Sequence, residues 1–562
     1  MLVFNSFVLY ITQKMKHYIL GTLFFMAFGQ LFAQTGNIST PDPVTLPIHQ
    51  SNIGKVIFTA DTIPLEKLKE TDLLTSFKAA STNNLYMRLL MGNSLTNYQH
   101  PLNPALSVED LNKGNFQFSF YVDGKQIYQE NLHRGANYPT VKNTKTTISV
   151  PLISNRGEDS WGRSLWNRFM MRGGDRVLTT GAHLLKIEVR PYINIPALKV
   201  GGVIAQGQLR FIIPELNFKD IALQPIKSNS GWQVSTEPFD KKKIMEMNGM
   251  IAQNRFKSIT SVIVIKNGKL LIEEYFNGSA RDSLHDPRSV GKTFTSAMLG
   301  IAIHDGFITS ENQTLKDFYD LKKFNNYSLQ KETVTLKSLL TMSSIFDADD
   351  NDDNSPGNEN NMYPTNNWVK FALDLRVDST KTAGKQWNYF TAGVNVIGDV
   401  LNKSVPNGLE KYTDEKLFKP LGIKTYKWAY TPQHVVFTGG GLQLRSLDYA
   451  RFGQLYKNGG AWNGKQIIPA NWAKQSFTKQ LTLPKDVVGE GYYGYLFWNK
   501  TYRVNNKPYQ TYYCTGNGGN KIFVFTNEPL VVIITATAYN APYAHPQVDK
   551  MMQQYILPAV LK

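Results

Sequence analysis

Alternating hydrophobic and polar positions dominate the first part of the chain. Residues 116–120 alternate phenylalanine with polar residues, and Asp123-Gly124 beyond them is typical of a tight hairpin turn. Residues 185–189 and 208–213 repeat this half-buried pattern between loops that contain Gly and Pro. The pattern predicts an all-β sandwich domain over residues 35–213.

A second pattern follows a stretch rich in turn-forming residues. Residues 214–240 contain three prolines and a flexible Ser-Asn-Ser-Gly segment, which predicts an interdomain linker. Residues 244–256 then have helical spacing. The apolar strands 259–265 and 270–276 are joined by Asn267-Gly268, a strong hairpin signal.

Another pair of apolar strands, 521–525 and 530–535, lies near the other end of the chain. Mostly helical segments separate it from the first pair. We therefore expect one sheet, built from both ends of an α/β domain that covers residues 241–562, with helices inserted between them.

Composition supports a folded protein with two domains, or with one large domain and an appendage. The chain has 562 residues, of which 42% are hydrophobic and 19% charged, which is enough apolar surface for a sizeable core. Cys514 is the only cysteine, so an intrachain disulfide and a cysteine-based metal site are excluded.

The formal net charge of +17 raises the question of an anionic partner. The charges are scattered apart from Lys241–Lys243, and no nucleic-acid-binding motif is present. We expect no nucleic-acid partner. A solvated lysine-rich surface or contact with an anionic cell envelope explains the charge better.

The N-terminus resembles a targeting signal. Lys16 and His17 precede the apolar run 19–32, which ends in the small residue Ala33. This predicts a signal peptide over residues 1–33 and a periplasmic or secreted protein, with Met15 as an alternative start. An uncleaved membrane anchor is the other interpretation of the same run.

The acidic stretch 347–353 spaces oxygen ligands somewhat like a calcium loop. However, Asp352 stands where such a loop needs glycine, and Asn358 where it needs a bidentate glutamate. We expect a solvated loop and no metal site.

Candidate chemistry centres on the tetrad Ser-x-x-Lys, which occurs at Ser289, Ser328 and Ser476. Only Ser289 opens a long helical pattern, which stops at Gly306. One turn of helix brings Lys292 beside Ser289, where an amine can take the hydroxyl proton. The alternative is a helix-capping serine followed by an exposed lysine.

Ser289-Val-Gly-Lys292, preceded by the 259–276 hairpin, resembles the serine β-lactamase and penicillin-binding superfamily. Further motifs are similar to its class C β-lactamase-related branch, which includes esterases and 6-aminohexanoate-dimer hydrolases. They occur in the family's order at 339–343, 384–393, 417–422, 439–442, 448–453 and 462–469. The resemblance covers about residues 255–560 and implies an antiparallel sheet flanked by helices, with a helical subdomain.

The resemblance also implies the roles of two further motifs. Tyr389 of Tyr389-Phe-Thr391 matches the family's proton-relay tyrosine, whereas Thr391 replaces an asparagine, as in the esterase-like branch. Without the neighbouring motifs, Tyr389 would be an ordinary core aromatic.

The stretch Cys514-Thr515-Gly516 matches the family's substrate-binding strand, followed by Asn517. The amides of Ser289 and Asn517 would form an oxyanion hole. Cys514 departs from the family's lysine or histidine, which puts recognition of a carboxylate in doubt. The alternatives for Cys514 are a nucleophile or an inert thiol.

Together these motifs predict an exported serine hydrolase in which Ser289 forms an acyl-enzyme while Lys292 and Tyr389 transfer protons. The expected substrate is a small ester, amide or peptide-like molecule, and no cofactor is implied. The alternatives are a non-catalytic ligand sensor of the cell envelope and a D-Ala-D-Ala carboxypeptidase or β-lactamase. The N-terminal domain is a candidate for envelope or glycan contact.

Overall fold

The computed structural model describes residues 37–79, 83–154, 160–215, 221–352, 354–484 and 491–561. The signal peptide predicted for residues 1–33 lies outside these ranges. The chain divides into two compact units, Met1–Glu215 and Leu216–Lys562. Within the described ranges, no helix combines the length and the apolar character needed to cross a membrane.

The first unit is rich in strands. The strands are β1 Lys55–Thr59, β2 Ser76–Lys78, β3 Leu85–Leu90, β4 Asn115–Val122, β5 Lys125–Asn131, β6 Thr147–Ile153, β7 Gly181–Asn194, β8 Leu198–Val200 and β9 Ala205–Ile213. The helices are α1 Pro47–Gln50, α2 Leu95–Gln99, α3 Val108–Leu111, α4 Pro139–Thr144, α5 Trp161–Phe169 and α6 Asp175–Val177.

These strands form one sheet in the order β5-β4-β7-β9-β1-β3-β6, while β2 pairs with β9 and β8 with β7. The alternating phenylalanines are fully buried, and the Phe120 ring stacks on Phe169 of α5 with 4.6 Å between centroids. The predicted β-rich unit and its 123–124 hairpin are confirmed. The strands are nevertheless joined in a single sheet, because the 14-residue strand β7 pairs with β4, β8 and β9.

The second unit contains both strands and helices. The strands are β10 Ile259–Lys266, β11 Lys269–Tyr275, β12 Tyr426–Trp428, β13 Leu442–Leu444, β14 Ala461–Trp462, β15 Lys465–Gln466, β16 Leu481–Thr482, β17 Tyr492–Tyr493, β18 Trp498–Val504, β19 Lys507–Gly516, β20 Asn520–Phe525 and β21 Leu530–Ala536.

Most of the helices of this unit lie between β11 and β16 in the sequence. The helices are α7 Lys241–Ala252, α8 Gly291–His304, α9 Leu336–Leu340, α10 Glu359–Met362, α11 Trp368–Asp374, α12 Thr391–Ser404, α13 Gly408–Thr413, α14 Lys419–Leu421, α15 Ser446–Lys457, α16 Ala470–Phe477, α17 Ala544–Met551 and α18 Leu557–Val560.

The main sheet of the second unit is assembled from both ends of its sequence, as predicted. Its order is β11-β10-β21-β20-β19-β18-β17-β16, and β10 pairs antiparallel with β21. The turn between β10 and β11 uses Asn267 and Gly268, both with positive φ, as a type I′ hairpin requires. The sheet brings β19 beside the start of α8, where the candidate nucleophile lies.

The segment predicted as a linker is bound to the second unit over its described part. Gln224 Nε2 donates to the Tyr275 carbonyl at 2.7 Å, and Ser235 N donates to the Leu270 carbonyl at 2.8 Å. Because β11 is an edge strand, one side of its backbone is not paired with another strand and can form hydrogen bonds with this segment. Residues 221–240 therefore belong to the fold of the second unit.

Candidate active site

Ser289 lies in a sharp turn at the entrance to α8. It is part of a short 3-10 helix, Arg288–Val290, that continues directly into α8. Arg288 has φ of 54°, a conformation that non-glycine residues seldom adopt and that concentrates at functional sites. Because α8 is buried from Gly291 to Ala302, the turn that carries Ser289 rests on a fixed support.

Lys292 makes the contact that the tetrad predicts. Its Nζ donates to Ser289 Oγ at 2.8 Å and to the Gly439 carbonyl at 2.6 Å. Only 2% of Lys292 is exposed. A largely desolvated amine at this distance from a hydroxyl can exchange a proton with it, which is the contact that an activated serine requires.

The other two Ser-x-x-Lys tetrads lack this contact. Lys331 Nζ donates to two backbone carbonyls, those of Asn325 and Leu373. Ser476 Oγ donates to the Trp472 carbonyl at 2.9 Å, while Lys479 is exposed. Of the three tetrads, only that of Ser289 therefore has its serine hydrogen-bonded to its lysine.

Tyr389 lies beside the same amine. Lys292 Nζ is 5.1 Å from the centroid of the Tyr389 ring, and Trp387 and Trp498 pack around that ring at 5.9 and 6.0 Å. Among the described residues, the Tyr389 hydroxyl has no hydrogen-bond partner. Lys292 donates to Ser289 and Gly439, and the described residues show no hydrogen bond between its amine and the Tyr389 hydroxyl.

The end of β19 packs against the nucleophile turn. A Cβ atom on Gly516 would lie 1.8 Å from the Pro287 carbonyl oxygen and 3.0 Å from Ser289 N, so only glycine fits there. Asn517 follows, with its side chain held by two hydrogen bonds to Asn540. This brings Asn517, the second residue of the predicted oxyanion hole, close to the turn that carries Ser289.

Two residues predicted to bind substrate are buried. Cys514 is 1% exposed, and burial raises the pKa of its thiol to about 12, so it is neither a thiolate nor on the surface of the site. Thr391 is 0% exposed, and its Cγ2 methyl packs towards Gly439. Both side chains therefore belong to the packing around the site and are not exposed to a substrate. The Thr515 hydroxyl, also buried, has no hydrogen-bond partner within the described ranges.

Sequence reasoning did not assign three residues that complete the site. The Gly439 carbonyl binds Lys292, and Asn395 Oδ1 fixes that segment by accepting from Gly439 N at 3.1 Å. Asn395 follows Thr391 by four residues on α12, so helical spacing could have identified it. Asp350, from the acidic stretch, accepts from Thr391 N at 2.7 Å.

The side chains that usually bind metal ions do not cluster in the part of the chain that the structure describes. Among the described residues, no group of three His, Cys, Asp or Glu side chains is arranged to hold an ion.

Comparison with known proteins identifies the family of the chain. The family model described as Beta-lactamase matches residues 251–551, more than half of the chain. The chain belongs to this family, within the serine β-lactamase and penicillin-binding superfamily, and is a β-lactamase-fold hydrolase. No curated protein matches the chain.

Several solved structures are similar to parts of the chain. A Bacillus anthracis protein described as a 6-aminohexanoate-dimer hydrolase is 17% identical, covering 60% of this chain and 92% of that one, with a TM-score of 0.45. A family VIII carboxylesterase is 13% identical, covering 58% and 98%, with a TM-score of 0.44. A D-stereospecific amidohydrolase from Streptomyces sp. is 15% identical, covering 53% and 93%, with a TM-score of 0.41.

Proposed function

We propose that the protein is a serine hydrolase that cleaves an ester or amide through an acyl-enzyme on Ser289. The observation that carries this proposal is the 2.8 Å hydrogen bond between Lys292 Nζ and Ser289 Oγ, which the other two tetrads lack. Membership in a hydrolase family supports the same conclusion.

The reaction proceeds in two halves. Ser289 Oγ attacks the substrate carbonyl carbon while its proton moves to the amine of Lys292. The tetrahedral intermediate then breaks its bond to the leaving group, which takes up a proton relayed through Lys292 and Tyr389. A water molecule attacks the acyl-enzyme, its proton follows the same route, and the acid product leaves with Ser289 restored.

The negative charge that develops on the carbonyl oxygen of the tetrahedral intermediate is stabilised by hydrogen-bond donors that are already in position before the reaction. The backbone amides of Ser289 and Asn517 fill this role in the proposal, because Gly516 lets the end of β19 approach the nucleophile turn. The buried Thr515 hydroxyl, which has no hydrogen-bond partner among the described residues, supplies a further polar group on the same strand.

The buried, neutral Cys514 gives a prediction about substrate class. Family members that bind a substrate carboxylate at this position use a cation, and a thiol whose pKa is raised to about 12 by burial supplies none. We expect short-chain p-nitrophenyl esters to be hydrolysed and nitrocefin to be turned over weakly or not at all. Parallel steady-state assays of the two substrates test this ordering. Efficient nitrocefin turnover with ester rates at background would instead identify a β-lactamase.

We also propose that the protein is exported, on the basis of the apolar run 19–32 that ends in Ala33. The mature protein is expected to begin near Gln34 and to be recovered from the periplasm or the medium. Intact-mass measurement of the exported material checks this. A mass that retains residues 15–33 would support a membrane anchor instead.

A further inference from the structure

Asp350 makes more hydrogen bonds to the backbone of other segments than its place in an acidic, polar stretch suggests. Its N–H donates to the Tyr389 carbonyl at 2.8 Å. One carboxylate oxygen accepts from Thr391 N at 2.7 Å, and the other accepts from Glu359 N at 2.8 Å. Asp350 therefore bonds to the backbone on both sides of Phe390.

These hydrogen bonds fix the turn that carries the proton-relay tyrosine. Thr391 is the first residue of α12, so its N–H has no partner inside the helix. A carboxylate satisfies this donor and interacts favourably with the positive end of the helix. The backbone of Tyr389 is thereby held in place next to Lys292, and movement of the acidic loop would move the tyrosine.

Asp350 also faces the charged groups of the site. Lys292 of α8 attracts the carboxylate, whereas Glu359 of α10 repels it. Tyr363, which follows α10, donates its hydroxyl to Glu359 at 2.8 Å. Burial, reinforced by Glu359, raises the pKa of Asp350 from 3.8 to about 6.

This shift means that an ionised Asp350 lowers stability. Because the folded-state pKa lies above the ordinary value, the group favours folding most below pH 3.8, and this contribution is lost as pH rises through about 6. At neutral pH Asp350 is thus ionised, although its protonated form would make the folded state more stable. Carboxylates of this kind concentrate at functional sites.

We propose that Asp350 is a positioning residue of the hydrolase, whose ionised carboxylate holds the Tyr389–Thr391 turn and stabilises the ammonium of Lys292 after it receives the Ser289 proton. This inference rests on the proposed function. Asp350 itself touches neither the substrate nor the reacting atoms in this arrangement.

The test is the rate of covalent inactivation by a fluorophosphonate probe, measured across about pH 5 to 8 on the full chain. Wild type should lose reactivity as pH falls through about 6, since Asp350 is then protonated. Asp350→Asn should react about 10-fold more slowly or worse at neutral pH, because Tyr389 and Lys292 lose alignment, and should lack that inflection. The exposed Asp352, changed to Asn, removes one charge from the same loop and should behave as wild type.

A second variant separates positioning from simple loss of structure. Glu359→Gln removes the neighbouring charge that raises the pKa of Asp350, so the inflection should move to lower pH while the plateau rate stays unchanged. An unshifted inflection in this variant, or an Asp350→Asn profile that matches wild type, would overturn the proposal. Absence of labelling in wild type at every pH would overturn the serine-hydrolase function itself, and this inference with it.

Discussion

Replacing Ser289 by alanine should lower kcat for ester hydrolysis by about 10⁴-fold or more, because the nucleophile that forms the acyl-enzyme is removed. The fold should remain intact, since a single oxygen is lost and Lys292 keeps its bond to the Gly439 carbonyl. Steady-state kinetics together with thermal unfolding of the variant measure both effects.

The chain supplies its own matched controls for this experiment. Ser328→Ala and Ser476→Ala alter the other two tetrads, whose serines have no hydrogen bond to their lysines. Both variants should retain wild-type turnover. Full activity in Ser289→Ala, with activity lost in either control instead, would place the nucleophile in another tetrad.

Lys292→Ala and Tyr389→Phe should each lower kcat/KM by about 10²-fold or more, the scale of lost general acid–base catalysis. Phenylalanine keeps the ring that packs between Trp387 and Trp498, so Tyr389→Phe removes only the hydroxyl. The two residues serve one proton-transfer route, and the double variant should therefore lose less than the product of the single effects. Measuring kcat/KM for the wild type, the two single variants and the double variant gives the double-mutant cycle that tests this.

Near-wild-type rates in either single variant would contradict the proposed route. Multiplicative losses in the double variant would show that Lys292 and Tyr389 act in separate steps. In the first case, another group within reach of Ser289 would have to accept its proton.

Much of the second unit could be predicted from local sequence signals. Asn267-Gly268 determines a hairpin, since few other residue pairs adopt positive φ at both positions. Strand β21 is fully buried, and β10 is buried except at Lys266. Apolar residues make up most of both strands, which predicts internal positions in the sheet. Ser289 and Lys292 were identifiable because their spacing coincides with the start of a long helical pattern, which the other two tetrads lack.

Other features depend on contacts between distant parts of the chain. Asp350 is surrounded by acidic residues, and its role arises from Thr391, 41 positions away. Burial of Cys514 and Thr391 is likewise set by tertiary packing, which motif matching does not report. In the first unit, alternation indicates which positions are buried but not which strands pair, so the single nine-stranded sheet could not be derived.

Identification of the atom that carries a fluorophosphonate adduct tests the central claim most directly. Intact-mass spectrometry followed by peptide mapping should find one adduct per chain, on Ser289, in wild type and equally in Cys514→Ala, because the buried thiol takes no part. Ser289→Ala should remain unmodified. An adduct on any other residue, or an unmodified wild-type protein, would contradict the account, and the second result would favour a ligand-binding protein on the same fold.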